Sequence, residues 1–259
     1  MSVSYSSGAL SFEPSAPIED GSARISATVP SYARTFGLFG RSANVLVALP
    51  YIVGDLEGRY LGEQAKVSRA GLGDATVRVG MNVLGAPAMS RLEFADFDQG
   101  TMIGVSLTTR VPVGQYDAEK LINIGTNRWA FKPEVGIVQI LGRFAIDAYV
   151  GAWFFTTNTD LFGGLTQDRR PIFSTEAHFR YNASSTVWAS LDANFWRGGL
   201  TTVNGVVSDD RQRESRVGAT VVVRVARGHT VRLVGSIGAV TRIGGDFDSI
   251  GLSYAFNWF

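Results

Sequence analysis

The segment Ile250-Gly-Leu-Ser-Tyr-Ala-Phe-Asn-Trp258 sets a large apolar side chain at every second position and a small or polar one between. A helix would need apolar residues at i, i+3, i+4 and i+7; alternation is the signature of a strand, whose successive side chains point to opposite faces. The same period governs Val217, Ala219, Val221, Val223 and Val225, then Val187, Ala189, Leu191, Ala193 and Phe195. Phe144, Ile146, Ala148, Val150, Ala152 and Phe154 form a fourth such row. The chain reads as strands.

Worked outward, alternation predicts twelve strands, over 2–12, 22–36, 42–58, 72–85, 98–112, 127–140, 143–157, 172–183, 185–198, 213–226, 229–242 and 248–258. They run about 10–16 residues, where soluble domains average about 5–6 and a tilted membrane-crossing strand needs about 9–11. Short turns near 39–41, 141–142, 183–184 and 226–228 alternate with long loops over 13–21, 59–71, 113–126, 158–171 and 199–212, and Gly244-Gly-Asp-Phe247 reads as a tight turn on the long-loop side. The segment 86–97, with Pro87 and Arg91-Leu-Glu-Phe-Ala95, breaks the pattern and is expected to hold a helical turn. Short turns at one end and long loops at the other are the habit of outer-membrane barrels. Phe259 falls one residue out of phase with Trp258 and Phe256.

Composition narrows the function. In 259 residues, 24 Lys and Arg oppose 23 Asp and Glu, a net charge of +1 that leaves no basic field for nucleic acid. With no Cys and only His178 and His229, disulfide frameworks, thiolate chemistry and multi-histidine metal centres fall away, and no cofactor is expected. Hydrophobic residues reach 45% and charged ones only 18%, yet no apolar run is long enough for a membrane helix, because the apolar positions are dispersed one in two. Ser2-Val-Ser-Tyr5 lacks the basic and apolar regions of a signal segment, and the chain is read as a mature sequence forming one barrel domain over 1–259.

In a membrane barrel the apolar face meets lipid and the polar face lines the lumen. The polar positions carry Arg78, Arg110, Lys132, Glu134, Asp147, Glu176, His178, Arg180, Asp192, Arg216, Arg224 and Arg232, the candidate lumen and selectivity residues. Trp129, Phe131, Phe144, Phe154, Phe173, Phe179, Tyr181, Phe195, Phe256 and Trp258 gather near strand ends, as interfacial girdles do. A large soluble β-barrel or sandwich, with the faces exchanged, is the alternative fold.

Several stretches resemble a known family: Phe36-Gly-Leu-Phe-Gly-Arg-Ser-Ala-Asn44 leading to Leu49-Pro-Tyr51, Gly71-Leu-Gly-Asp74 with Arg78, and Asn82-Val-Leu-Gly-Ala-Pro87. Pro112-Val-Gly-Gln-Tyr-Asp117, Leu121-Ile-Asn123, Asn127-Arg-Trp-Ala-Phe-Lys-Pro-Glu134 and Thr241-Arg-Ile-Gly-Gly-Asp-Phe-Asp248 continue it in order over nearly the whole chain. Together they resemble the outer-membrane transporters grouped as the MetA-pathway of phenol degradation family. The resemblance implies an outer-membrane β-barrel linked to uptake of aromatic or other hydrophobic compounds, and it brings no catalytic residues.

Individual motifs sharpen the expectations. Gly71-Leu-Gly-Asp74 predicts a bulge or bend that uses glycine's positive φ, or a pore mouth with Asp74 facing the lumen. Pro133 should interrupt a ladder and leave Lys132 and Glu134 to pair with Asp147 or Arg110, as a structural network or a selectivity cluster. His178, in phase with Ser174, Glu176 and Arg180, could serve a hydrolase, while His229 reads as solvated in a short turn. Trp153, Phe155, Trp188 and Trp196 fall near the inward phase, as a greasy path or as lumen packing; Asp209, Asp210, Arg211 and Arg213 read as a solvated loop. The function expected is therefore passive diffusion of small molecules, hydrophobic or aromatic compounds included, through a monomeric, non-enzymatic outer-membrane barrel whose partners are the bilayer and the solute. A closed structural or adhesion barrel and an outer-membrane hydrolase are the rivals.

Overall fold

The computed structural model describes residues 1–11, 18–89, 93, 97 and 100–258. Strands β1 (Ser2–Ser11), β2 (Ile18–Val29), β3 (Ser31–Leu38), β4 (Arg41–Ala48), β5 (Tyr51–Tyr60), β6 (Glu63–Leu72) and β7 (Ala75–Leu84) open the chain. Strands β8 (Thr101–Val111), β9 (Ala130–Leu141), β10 (Phe144–Phe155), β11 (Asn158–Leu161), β12 (Leu165–Arg169), β13 (Ile172–Asn182) and β14 (Val187–Gly198) follow. The last are β15 (Thr201–Val203), β16 (Val206–Val207), β17 (Gln212–Ala226), β18 (His229–Thr241) and β19 (Gly244–Phe256). The protein is all-β and its ladders are antiparallel.

Fifteen of these strands form one sheet in the order β3-β4-β7-β8-β9-β10-β13-β14-β17-β18-β19-β1-β2-β5-β6, and β11, β12, β15 and β16 form a small second sheet. The C-terminal strand pairs with the N-terminal one, from Ser2↔Ser253 to Ser11↔Gly244, and β1 pairs on its other side with β2. The two strands that end the sheet order, β3 and β6, each run on almost directly from or into another member. Only Pro30 separates β2 from β3, and only Gly73 and Asp74 separate β6 from β7.

The structure thus has nineteen strands among its described residues where alternation predicts twelve, and the difference has two physical sources. Proline lacks the N–H a ladder needs. Pro30 and Pro50 therefore split the expected strands 22–36 and 42–58, and their carbonyls accept instead from Leu49 N (3.1 Å), just past β4, and Gly73 N (2.8 Å), just past β6. Second, three expected loops carry strands. Residues 59–71 form a tight turn at Leu61 and Gly62, both at positive φ, and then β6; 158–171 and 199–212 contain the four strands of the small sheet. The last turn also moves to Arg242-Ile243, because Gly244 already pairs with Ser11. Of the helical turn expected around Arg91–Ala95, only Glu93 lies within the described residues, and Phe259 lies outside them.

Polarity sorts the two faces of the large sheet. On β14, Leu191 is 66% exposed while its neighbours Ser190 and Asp192 point the other way and are buried or half-buried. On β9, Val135 and Ile137 are exposed, whereas Lys132, Glu134 and Gly136 are buried. A water-soluble sheet protein keeps the opposite order, with charges out and aliphatic residues in. The exposed face is a continuous apolar belt edged by aromatics: Phe144 stacks on Phe179 (centroids 5.5 Å apart) and Tyr181 (5.2 Å) at one rim, and Trp129 on Phe131 (6.1 Å) at the other. Large apolar side chains outside and charges inside is the distribution that a lipid solvent selects.

Candidate functional site: the inner charged wall

Register brings the inner-face charges of consecutive strands into one band. Lys132 on β9 lies 2.6 Å from Glu134 and 3.0 Å from Glu176 on β13, reaching across β10 to do so. The crossing is possible because Gly151 on β10 is bare: a Cβ there would sit 3.3 Å from the Lys132 side chain and 2.8 Å from the Pro133 carbonyl. Glu134 also takes Arg78 of β7 (3.3 Å) and the Ser106 hydroxyl of β8 (3.4 Å). The partners are therefore Arg78 and Glu176 and not the expected Asp147 and Arg110, which sit too far along their strands. The expected effect of Pro133 is present. The ladder to β10 passes from Glu134↔Gly151 to Phe131↔Phe154 without pairing the two residues between.

A second group lies along β13, β14 and β17. The Asp192 carboxylate accepts from Ser190 (2.8 Å) and Thr220 (2.7 Å) and contacts His178 Nδ1 at 2.7 Å. Arg180 stands 3.8 Å from Asp147. Arg216 donates to the Ser236 and Ser249 hydroxyls, at 3.3 and 3.1 Å, and to the Phe247 carbonyl. Arg110 stacks on Trp153 at 4.7 Å. Arg224 and Arg232 stand exposed near the short-turn end, on the same face as Val222, with no ion pair among the described residues. Alternation could not have singled out Ser190 and Thr220, because their role depends on register across three strands.

The hydrolase constellation is not assembled. His178 meets the carboxylate of Asp192, but the serine of the group, Ser190, bonds that same carboxylate and not the imidazole. Ser174 points to the Gly151 carbonyl at 3.5 Å. Nucleophilic catalysis requires the base to touch the hydroxyl it deprotonates. His229, expected to be solvated, contacts the Tyr254 hydroxyl at 2.6 Å and packs on Phe256.

At the long-loop end the connection 112–129 is tied down by Asp74, which accepts from Gly114 N (3.0 Å), Thr126 N (3.0 Å) and the Thr126 hydroxyl (2.6 Å). Gly71 and Gly73 serve space and not positive φ. A Cβ on Gly71 would lie 1.8 Å from Gln115 Oε1, and one on Gly73 would lie 2.9 Å from Pro50. In the same loop, Asn123 bridges the turn, and the Lys120 ammonium together with the Glu119 N–H holds the Asp117 carboxyl below the usual carboxylate range. Leu121, Ile122 and Phe162 lie against Leu10, Leu56 and Val67 of the inner face, around a cavity of about 320 Å³. Below it, Asn44, Arg78, Asn82, Ser106, Glu134 and Tyr149 line a polar cavity of about 250 Å³.

Asp74→Ala is expected to free this loop while leaving the strands intact, costing about 1–3 kcal/mol through lost and unsatisfied hydrogen bonds. Limited trypsin digestion of the folded protein reads it directly: cleavage after Lys120 should accelerate about tenfold, and an unchanged rate would show that Asp74 is not the anchor.

Of the four aromatics expected near the inward phase, Trp153, Phe155 and Trp188 each carry a cation on a face. Lys132 lies 5.7 Å from Trp153, Arg180 5.6 Å from Trp188, and Arg128 and Arg169 lie 5.5 and 5.4 Å from Phe155. Cation–π pairing thus gives these rings charged neighbours that a bare greasy path would lack.

The model of the MetA-pathway of phenol degradation family matches residues 7–242. The chain belongs to that family. Among solved structures, an outer membrane channel of Pseudomonas putida F1 is similar over 98% of this chain and 93% of its own, with 16% identity and a TM-score of 0.81. The transport unit of the Escherichia coli autotransporter AIDA-I is similar over 99% and 88%, at 10% identity and a TM-score of 0.57. The NanC porin is similar over 99% and 100%, at 7% identity and a TM-score of 0.50. No curated protein matches the chain. The family member described here thus has the fold of outer-membrane β-barrels, and its outer surface suits the lipid such barrels occupy.

Proposed function

We propose that this protein is a passive outer-membrane channel for small molecules, hydrophobic and aromatic compounds among them, working as a monomer with no catalytic step and no cofactor. One observation carries the reading: the face turned to the surroundings is apolar and aromatic-edged, while the opposite face bears a band of at least nine charged or ionisable side chains, from Arg78 to Arg216. A charged inner band beside an apolar outer belt is useful to a wall that separates water from lipid.

The barrel we infer has twelve staves. Each of β2–β3, β4–β5 and β6–β7 acts as one long stave kinked at Pro30, at Leu49-Pro50 or at Gly73-Asp74, and the β1–β19 ladder closes the ring. Every edge is then paired, as hydrocarbon demands. The residues that tune passage are Arg78, Arg110, Lys132, Glu134, Asp147, Glu176, His178, Arg180, Asp192, Arg216, Arg224 and Arg232. Opposite charges held in a narrow lumen set the field an ion or solute must cross.

Liposome swelling tests passage. Vesicles carrying the folded protein should swell in isosmotic solutions of a small sugar and of benzyl alcohol; swelling no faster than empty vesicles for every solute would favour a closed structural or adhesion barrel.

A further inference from the structure

Three arginines gather at the long-loop end of the inner wall without a carboxylate partner. Arg110, next to last on β8, stands opposite Ala130, whose other neighbour is Phe155 at the end of β10. Arg128 precedes β9, and Arg169 closes β12 in the small loop sheet. The guanidiniums of Arg128 and Arg169 both lie on Phe155, and that of Arg110 lies on Trp153. None has an Asp or Glu oxygen within ion-pair distance among the described residues.

Their donors are largely unused. A guanidinium offers five N–H groups. Arg128 gives one to Gln167 Oε1 (3.0 Å), Arg169 one to the Gly199 carbonyl (3.2 Å), and Arg110 none among the described residues. Of the acids nearby, Asp74 is taken by the 112–129 loop and Asp210 by Thr201 N and Oγ1, both at 2.8 Å, while Glu214 on β17 acts on Arg169 from beyond ion-pair distance. Burial and the Arg169 charge push the Arg128 guanidinium down to about 10, and burial lowers Arg169 against the opposing pull of Asp210 and Glu214, with Arg110 adding a smaller repulsion. Like charges packed together, with free donors and partial burial, are relieved by an anion that accepts several N–H groups at once.

We propose that Arg110, Arg128 and Arg169 form a carboxylate-binding site at the external mouth, which selects organic carboxylates over neutral molecules of the same size. The proposal rests on the channel reading for its purpose, since capture at the mouth would feed the lumen, but the binding itself does not require flux.

Isothermal titration of the folded protein in detergent micelles, with benzoate and the ring-matched neutral benzyl alcohol, tests it. Benzoate should bind at least tenfold more tightly. Arg128→Gln and Arg169→Gln should each weaken benzoate about tenfold, the loss of a charge-assisted hydrogen bond, and leave benzyl alcohol unaffected. Arg34→Gln, on the exposed β3 strand, is the control and should bind as the parent does. Heat-modifiable gel mobility reports folding of each variant. Equal affinity for the two ligands, no benzoate binding, or folded variants that bind as the parent does would overturn the proposal. Swelling run in parallel separates the two ideas: flux without benzoate binding removes this site alone, and benzoate binding without flux removes the channel alone.

Discussion

Lys132→Met is expected to destabilise the folded protein by about 3–5 kcal/mol, the cost of removing one partner from a buried ion pair. The Lys132 side chain is 11% exposed and that of Glu134 6%, so solvent cannot replace the lost ammonium. Glu176, on the far side of β10, loses its cation as well, and Glu134 is left to Arg78 and the Ser106 hydroxyl. Urea unfolding in lipid vesicles, followed by gel mobility, measures the change. The double variant Lys132→Met with Glu134→Gln should recover part of the loss, because it removes the stranded charge along with its partner. A loss below about 1 kcal/mol in the single variant would mean that water reaches this cluster freely.

The second large effect is on the opposite face. Val150→Arg should cost about 2–4 kcal/mol in the same assay, the penalty for a cation at the middle of a lipid-facing strand. Val150 is 50% exposed and lies between the rim aromatics Phe144 and Phe154 of β10. In a water-soluble protein a half-exposed valine exchanged for arginine changes stability by only about 0.5 kcal/mol. The sign and size of this one substitution therefore separate lipid from water as the solvent of that face.

The strands most legible in the sequence are those whose two faces meet lipid and the inner wall. Ile250 to Phe256, Val217 to Val225 and Phe144 to Phe154 alternate because each outward residue needs to be apolar and each inward one need not be. Strand β6 was illegible by the same rule. It pairs with β5 so that Lys66 and Ser68 share a face with Glu57 and Asp55, with Lys66 2.9 Å from Glu57, while Val67 and Leu56 turn to the loops. That is the polarity of a sheet whose outer face meets water, and the segment therefore reads as a polar loop. The breaks at Pro30 and Pro50 were visible as residues, but their alignment across adjacent strands depends on register.

The candidate site divides similarly. Its charged residues could be picked out by phase, and the interruption at Pro133 follows from the missing N–H. The pairings could not, because a bare Gly151 lets Lys132 reach Glu176 past an intervening strand, and no local pattern contains that contact. Arg169 escaped because it lies in an expected loop, where alternation carries no information, and Arg128 falls inside the expected strand 127–140 but owes its meeting with Arg169 on Phe155 to the fold of the loop sheet. His178 found its carboxylate on the next strand at Asp192, with the serine on the wrong side of it for hydrolysis.

Single-channel recording in a planar bilayer tests the central claim most directly. Folded protein should insert to give discrete, ohmic current steps, and Lys132→Met, which removes one cation from the inner band, should shift the reversal potential in a salt gradient toward cation preference. A folded, heat-modifiable protein that inserts yet passes no current at either polarity would contradict the reading of the inner charged wall as the lining of a conducting lumen.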